Sequence, residues 1–215
     1  MVAAVLASPL LRRRFNRWGV TDDELTSQMP GDELVTQPQL GYTRAITIDA
    51  PPTTVWPWLA QIGQGRGGLY SYDALENLVG CNIHSTDQIL DEYQQLDVGD
   101  IIRSGPDNFP CWMVMAIKPT EHLVLLGAGT PADLSVPDTP PAVIPPKDYA
   151  AATWQCQLRP HATQTRTRLI VRQRLTYSAG QAAIWRLVEP INFAMEHKML
   201  KGLRTRAESH PSARA

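Results

Sequence analysis

Side chains with chemical reach crowd into one short stretch of this 215-residue chain: Arg66, Tyr70, Tyr72, Asp73, Glu76 and His84. Tyr72, Asp73 and His84 offer a phenol, a carboxyl and an imidazole. Such groups work as general acids or bases when held within hydrogen-bond reach of a substrate and tuned to the working pH. Each also has a plainer reading. Asp73 and Glu76 stand three apart ahead of a short apolar run and match a capping box closed by Gly80, and Ser85 with Gln88 repeats the pattern. Tyrosines commonly pack with the hydroxyl at a rim. His122 beside Glu121 and His197 after Glu196 read as surface residues. The GQGRGG turn at 63–68 lacks the GxxxxGK[ST] pattern of a phosphate cradle and reads as a flexible turn. There is no GxSxG, no HExxH and no Cys/His spacing of a nucleophile pair, which excludes the commonest hydrolase and zinc-peptidase chemistries.

The elements around this stretch follow from periodicity. Arg44, Ile46 and Ile48 alternate with Thr43, Ala45 and Thr47, as in a strand with two unlike faces. Prolines 51 and 52 stop it. Val55, Trp58, Leu59 and Ile62 then recur at helical spacing, with Thr54 the expected cap and Pro57 in the first turn; an earlier start would put Pro57 inside the helix and kink it. Trp56 is expected in the core. Strands are predicted at 100–103, 111–117, 122–127, 152–158 and 165–175. The proline-rich segment 131–147 is long for a hairpin connection and reads equally as a lid or a passive loop. On the last strand Arg166, Arg168, Arg172 and Arg174 share a face, read as a solvated outer surface, with an anion-binding strip as the alternative. From Gln181 to about Glu208 one helix is predicted, with Ile184, Leu187, Val188, Ile191, Met195 and Met199 as its apolar stripe and a bend at Pro190.

The runs RAITIDAPPTTVWPWLAQIG and GRGGLYSYDALENL, with TRLIVRQR and FAMEHKMLKGLRTRAE downstream, resemble a bacterial branch of the SRPBCC superfamily (START-like, Bet v 1-like, polyketide cyclase/dehydrase-like proteins). The resemblance implies an α+β helix-grip fold: a curved antiparallel sheet wrapped around a long C-terminal helix, two short helices after the first strand, and a cavity between. It divides the chain into an N-terminal extension (1–40) with short helices, a helix-grip domain (41–208) and a disordered tail (209–215). In that fold Arg66, Tyr70, Tyr72 and His84 lie near the cavity opening and would orient the polar end of a ligand. Trp112, Met113, Trp154 and Leu169 would line the wall with Phe193 and Met195. The expected role is binding a small hydrophobic molecule, a lipid or polyketide-like compound, as carrier or sensor. One alternative is a cyclase/dehydratase-like enzyme using Tyr72, Asp73 or His84; another is an interaction module with a filled cavity.

A chain with 43% hydrophobic residues can bury one substantial core, and its net charge of −1 gives no global field for nucleic acid. Cys81, Cys111 and Cys156 lack metal-ligand spacing and read as reduced thiols of a cytoplasmic protein. No cofactor or metal is expected, and the oligomeric state is left open. Arg12, Arg13 and Arg14 follow the first apolar run, the reverse of a secretory signal, and residues 1–11 are too few to span a bilayer. This end is expected either to fray or to touch a membrane surface weakly through residues 1–18, using Leu10, Leu11, Phe15 and Trp18.

Overall fold

The computed structural model describes residues 9–106, 109, 111–127, 150–161, 165–177, 180 and 182–209. Six strands, β1 (Leu40–Ile48), β2 (Ile101–Arg103), β3 (Cys111–Lys118), β4 (His122–Gly127), β5 (Ala150–His161) and β6 (Arg166–Tyr177), form one antiparallel sheet in the order β1-β6-β5-β4-β3-β2. The helices are α1 (Pro9–Asn16), α2 (Asp22–Thr26), α3 (Pro52–Ala60), α4 (Asp73–Leu78) and α5 (Ala182–Ser209). The sheet is curved and open, α3 and α4 follow β1, and the 28-residue α5 closes the chain: an α+β helix-grip architecture. The proline-rich segment 131–147 and the tail 210–215 lie outside the described residues.

Register fixes which side chains face α5. Tyr42, Arg44 and Ile46 on β1 stand opposite Gln173, Val171 and Leu169 on β6, and the same rows continue through Trp154, Cys156 and Leu158 on β5. Because paired residues point to the same side of an antiparallel sheet, these rows form the concave face. Ile46, Leu158, Leu169 and Val171 pack there in one core with Trp58 and Leu59 of α3 and with Met199, Leu200 and Leu203 of α5. Trp56 is buried as expected, at 8% exposure. Helix α3 begins at Pro52 with Pro51 as its cap, so the missing donor of Pro52 falls where none is needed, while Pro57 sits inside the helix rather than in its first turn.

The long helix departs from expectation in phase. Its buried positions include Glu189, Glu196, Met199, Leu200, Leu203 and Ala207, whereas Ile184, Leu187 and Ile191 are exposed. The two halves carry apolar stripes on different faces. Burial follows the second half, which packs on the core through Met199, Leu200 and Leu203.

The convex face is not the solvated surface predicted from its arginines. Residues of the N-terminal extension lie across it. Arg172 is 5% exposed and donates to the Ser27, Glu24 and Leu25 carbonyls, pairing with Asp32 at 2.7 Å. Arg168 pairs with Glu24 at 2.7 Å, and Arg174 donates to the Val35 carbonyl. Arg166 alone of the four stays outside this set, paired with Asp49 at the surface. Arg172 and Arg174 thus donate to backbone carbonyls that no strand or helix ladder satisfies. A capping box between Thr21 and Glu24 fixes the start of α2.

Candidate functional site

Two tight approaches position α4 against α5. Tyr70 sits in the left-handed region at φ 55°, its N–H donating to Ser85 Oγ and its hydroxyl to the Trp58 carbonyl. Gly202 of α5 faces this turn: a Cβ there would stand 2.4 Å from the Tyr70 carbonyl oxygen. The glycine-rich turn before it is tied rather than flexible, because Gly63 and Gly68 exchange hydrogen bonds at 2.9 and 3.0 Å.

With α4 so placed, Tyr72, Leu75, Leu78 and Val79 point outward, and Glu76 is the one buried residue of the helix. The predicted capping box is absent. Tyr72 occupies the cap position without a side-chain bond, and Asp73 accepts from the Ser85 N–H (2.6 Å) and hydroxyl (2.7 Å). Ser85 therefore serves Asp73, and the second box with Gln88 does not form either. Burial first, and then the neighbouring Asp73 carboxylate, push Glu76 up to about 7, against a smaller lowering by Ser71. Its Oε2 is buried without a hydrogen-bond partner, and so is Trp154 Nε1 on β5. A chain of contacts joins the two residues: the Cys81 N–H donates to the Glu76 carbonyl, Cys81 Sγ donates to the Ser104 carbonyl, and Trp112 Nε1 donates to Ser104 Oγ at 2.7 Å. The Trp112 ring then lies 5.4 Å from that of Trp154.

Two small residues stand among the large ones of the concave face. Gly127 and Ala152 occupy the row next to Trp154 and Leu125, and Ala152 is only half-buried although β5 is an interior strand. The Trp112 ring lies over Gly127, where a Cβ would stand 2.9 Å from it, so of the two only Ala152 leaves its place on the concave face partly open. A separate groove of about 530 Å³ lies at the edge of β1 between α1 and α2. Three of its four arginines are already engaged, Arg17 to Asp22 and Arg172 and Arg174 to Asp32. It offers no unmet charge of theirs to a ligand.

Of the expected ligand residues, Tyr72 and Met195 lie where α4 meets α5, the Met195 carbonyl accepting from Ser71 Oγ, and Trp112 and Trp154 pack on each other on the concave face. The other six lie elsewhere. Arg66 folds back onto the Ala60 and Tyr93 carbonyls, and Tyr70 is a buried strut that burial raises to about 12. His84 is exposed and bonds Asn82. Met113 stands opposite Leu126, on the face away from Trp112. Leu169 is fully buried in the filled half, and Phe193 stacks on Phe15 of α1 at 4.5 Å, on the far side of α5 from Met195. Of the expected acid–base residues, Asp73 is committed to Ser85, while Tyr72 and His84 are exposed. Among the described residues no group of three or more His, Cys, Asp or Glu is placed to hold a metal, and no helix is long and apolar enough to cross a membrane.

A buried polar cluster escaped the sequence reading. Arg44 Nη1 donates to Glu196 Oε2 at 2.5 Å and to Asn192 Oδ1 at 3.0 Å, and Nε donates to the Phe15 carbonyl at 3.0 Å. Gln173 donates to the other Glu196 oxygen and accepts from the Tyr42 hydroxyl. Burial lifts the Glu196 carboxyl above the usual range even though Arg44 opposes it. The available signal was phase: Arg44 alternates with the buried Ile46 and Ile48, and Glu196 falls on the face of Met199, Leu200 and Leu203.

No family model and no curated protein matches this chain. Solved structures do. A hypothetical protein from Helicobacter pylori is 11% identical, with 84% of this chain and 95% of that one covered, at a TM-score of 0.46. A conserved protein from Geobacillus kaustophilus is 16% identical over 79% of this chain and 96% of its own, at 0.44. A protein from Arthrobacter aurescens is also 16% identical, over 80% and 87%, at 0.41.

Proposed function

We propose that this chain is a helix-grip binding protein of the SRPBCC, START-like kind. It holds a small, mostly apolar molecule against the concave face beside α4 and acts as a carrier or sensor in the cytoplasm. The observation carrying this reading is the coincidence of a half-buried small residue on the concave face, Ala152, with two buried polar atoms that have no partner, Glu76 Oε2 and Trp154 Nε1. Buried polar groups are nearly always paired, so an orphan acceptor and an orphan donor suit a ligand that supplies a polar partner. A hydroxyl can meet either one, donating to the Glu76 carboxylate or accepting from the indole. A ligand carboxylate would meet Glu76 as a like charge above pH 7. The thiols of Cys81, Cys111 and Cys156 suit a reducing compartment.

A second reading is favoured by one observation. A carboxyl that titrates near neutrality is tuned for general acid–base work, so a cyclase/dehydratase-like activity would run through Glu76 rather than through Tyr72, Asp73 or His84. Titrating the protein with dodecanol and with dodecanoate at pH 8, while following tryptophan emission, tests the binding reading. Saturable change with the alcohol, much weaker with the acid and lost in Trp154→Phe, is expected. Equal response to both, or none, overturns it. Turnover of a polyketone that disappears in Glu76→Gln, with ligand affinity retained, would establish the enzymatic alternative.

A further inference from the structure

The described residues include eight large hydrophobic side chains left exposed, and seven of them lie on just two elements: Tyr72, Leu75, Leu78 and Val79 at α4, and Ile184, Leu187 and Ile191 on the first half of α5. Single exposed apolar residues scattered over a surface need no explanation, but a concentration of this kind does. The two sets meet. Lys198, two turns beyond Ile191 on the same stripe of α5, holds its ammonium 5.9 Å from the Tyr72 ring. Lys201, a turn further on, is exposed as well.

The charges around this patch have one sign. Across α5 from Ala182 to Lys201 the acidic residues are Glu189 and Glu196, each 4% exposed. Glu189 is turned inward to Arg12 and Glu196 to Arg44. Both acids of α4 are likewise withdrawn, Asp73 onto Ser85 and Glu76 into the interior. What remains outside is an apolar stripe running into lysines. A surface of this composition suits the boundary of an anionic bilayer, where apolar side chains enter the acyl region and each lysine gains from the negative headgroups. It suits a second copy of the chain less well, because pairing like with like would bring the lysines of two copies together. The membrane contact expected of residues 1–18 finds no support in the described part of that segment, since Phe15 and Trp18 are turned onto Phe193 and His197 of α5.

We infer that the outer faces of α4 and the first half of α5 form a docking surface for anionic membranes, with Leu187 and Ile191 inserting and Lys198 and Lys201 contacting phosphate headgroups. This surface stands on its own residues and does not depend on the chain carrying a ligand, though it would present the meeting of α4 and α5 to the bilayer.

The test is co-sedimentation of the full chain with phosphatidylcholine vesicles containing 30% phosphatidylglycerol, against vesicles of phosphatidylcholine alone. Binding at least tenfold stronger to the anionic vesicles, weakening as salt is raised, is expected. Leu187→Asp with Ile191→Asp, and separately Lys198→Glu with Lys201→Glu, should each reduce it tenfold or more while leaving the thermal midpoint unchanged, since all four side chains are exposed. Absence of binding overturns the inference. So does binding that is indifferent to lipid charge or to these substitutions. A concentration-dependent dimer in sedimentation velocity that Leu187→Asp disperses would assign the patch to a second copy instead. Tryptophan titration with dodecanol in the same variants separates the two proposals, because loss of vesicle binding with ligand response intact leaves the internal site standing.

Discussion

Removing either partner of the buried Arg44–Glu196 pair gives unequal losses, and the inequality can be worked from the geometry. The two side chains are 0% and 4% exposed and lie 2.5 Å apart. In Glu196→Leu the guanidinium keeps Asn192 and the Phe15 carbonyl but loses its counter-charge, and arginine cannot shed its proton to escape. Breaking a buried pair in this way costs about 3–5 kcal/mol. In Arg44→Met the remaining carboxyl can neutralise itself, and burial already biases it toward the protonated form. The expected loss is about 1–3 kcal/mol, set by the work of protonating a carboxyl above its unfolded pKa. That loss grows with pH: a folded-state pKa raised above the unfolded value means the native state holds the extra proton, so stability falls as pH rises through the window. The double variant Arg44→Met/Glu196→Leu replaces the pair with apolar volume and should lie within about 1 kcal/mol of wild type. Urea unfolding of all four proteins at pH 5.5 and 8.0 reads these values. Single losses under about 1 kcal/mol, additive losses in the double, or an Arg44→Met penalty independent of pH would refute the reasoning.

Glu76→Gln should stabilise the protein at pH 8 by about 1–3 kcal/mol and have little effect at pH 4.5. The cost of the buried carboxylate builds as pH rises from the unfolded value to about 7 and is complete above it; thermal melts across that range check the sign. The opposite slope belongs to Glu24, which Arg168 holds near 2. Its contribution is present above the unfolded pKa and lost as pH falls through 2, so Glu24→Gln should lose about 1–3 kcal/mol at pH 7 and nothing at pH 2 in urea titrations. Gly202→Ala gains about 1 kcal/mol of helix propensity yet should destabilise overall, because its Cβ would sit 2.4 Å from the Tyr70 carbonyl oxygen. A higher unfolding midpoint would show that α5 and the Tyr70 turn are not so closely apposed. Trp58→Ala, which empties the largest fully buried side chain, should cost about 3–5 kcal/mol by the same measurement.

Much of the architecture was legible from period alone. The alternation of Arg44, Ile46 and Ile48 marked β1 and its two faces, and the strands at 111–118 and 122–127 emerge within a residue of expectation. What periodicity could not resolve was the partner of a polar face. Arg168, Arg172 and Arg174 carry the same pattern whether water or a covering segment lies beyond them, and only the fold reveals residues 19–36 there. The apolar stripe beginning at Ile184 was real in sequence but cannot be buried together with Leu200 and Leu203, which lie on another face of the same rod. At the site the failure was of spacing. Asp73 and Glu76 at i and i+3 satisfy a capping box and an inward carboxyl equally well, so the group with the most perturbed proton affinity of α4 was read as a cap.

Native mass spectrometry of the purified chain beside its Ala152→Trp variant tests the central claim directly. Wild type should carry a small apolar adduct that collisional activation removes, and the variant, with an indole at that place on the concave face, should carry none. A wild-type spectrum holding the bare chain alone, or an adduct that survives the substitution, would contradict an internal ligand beside α4.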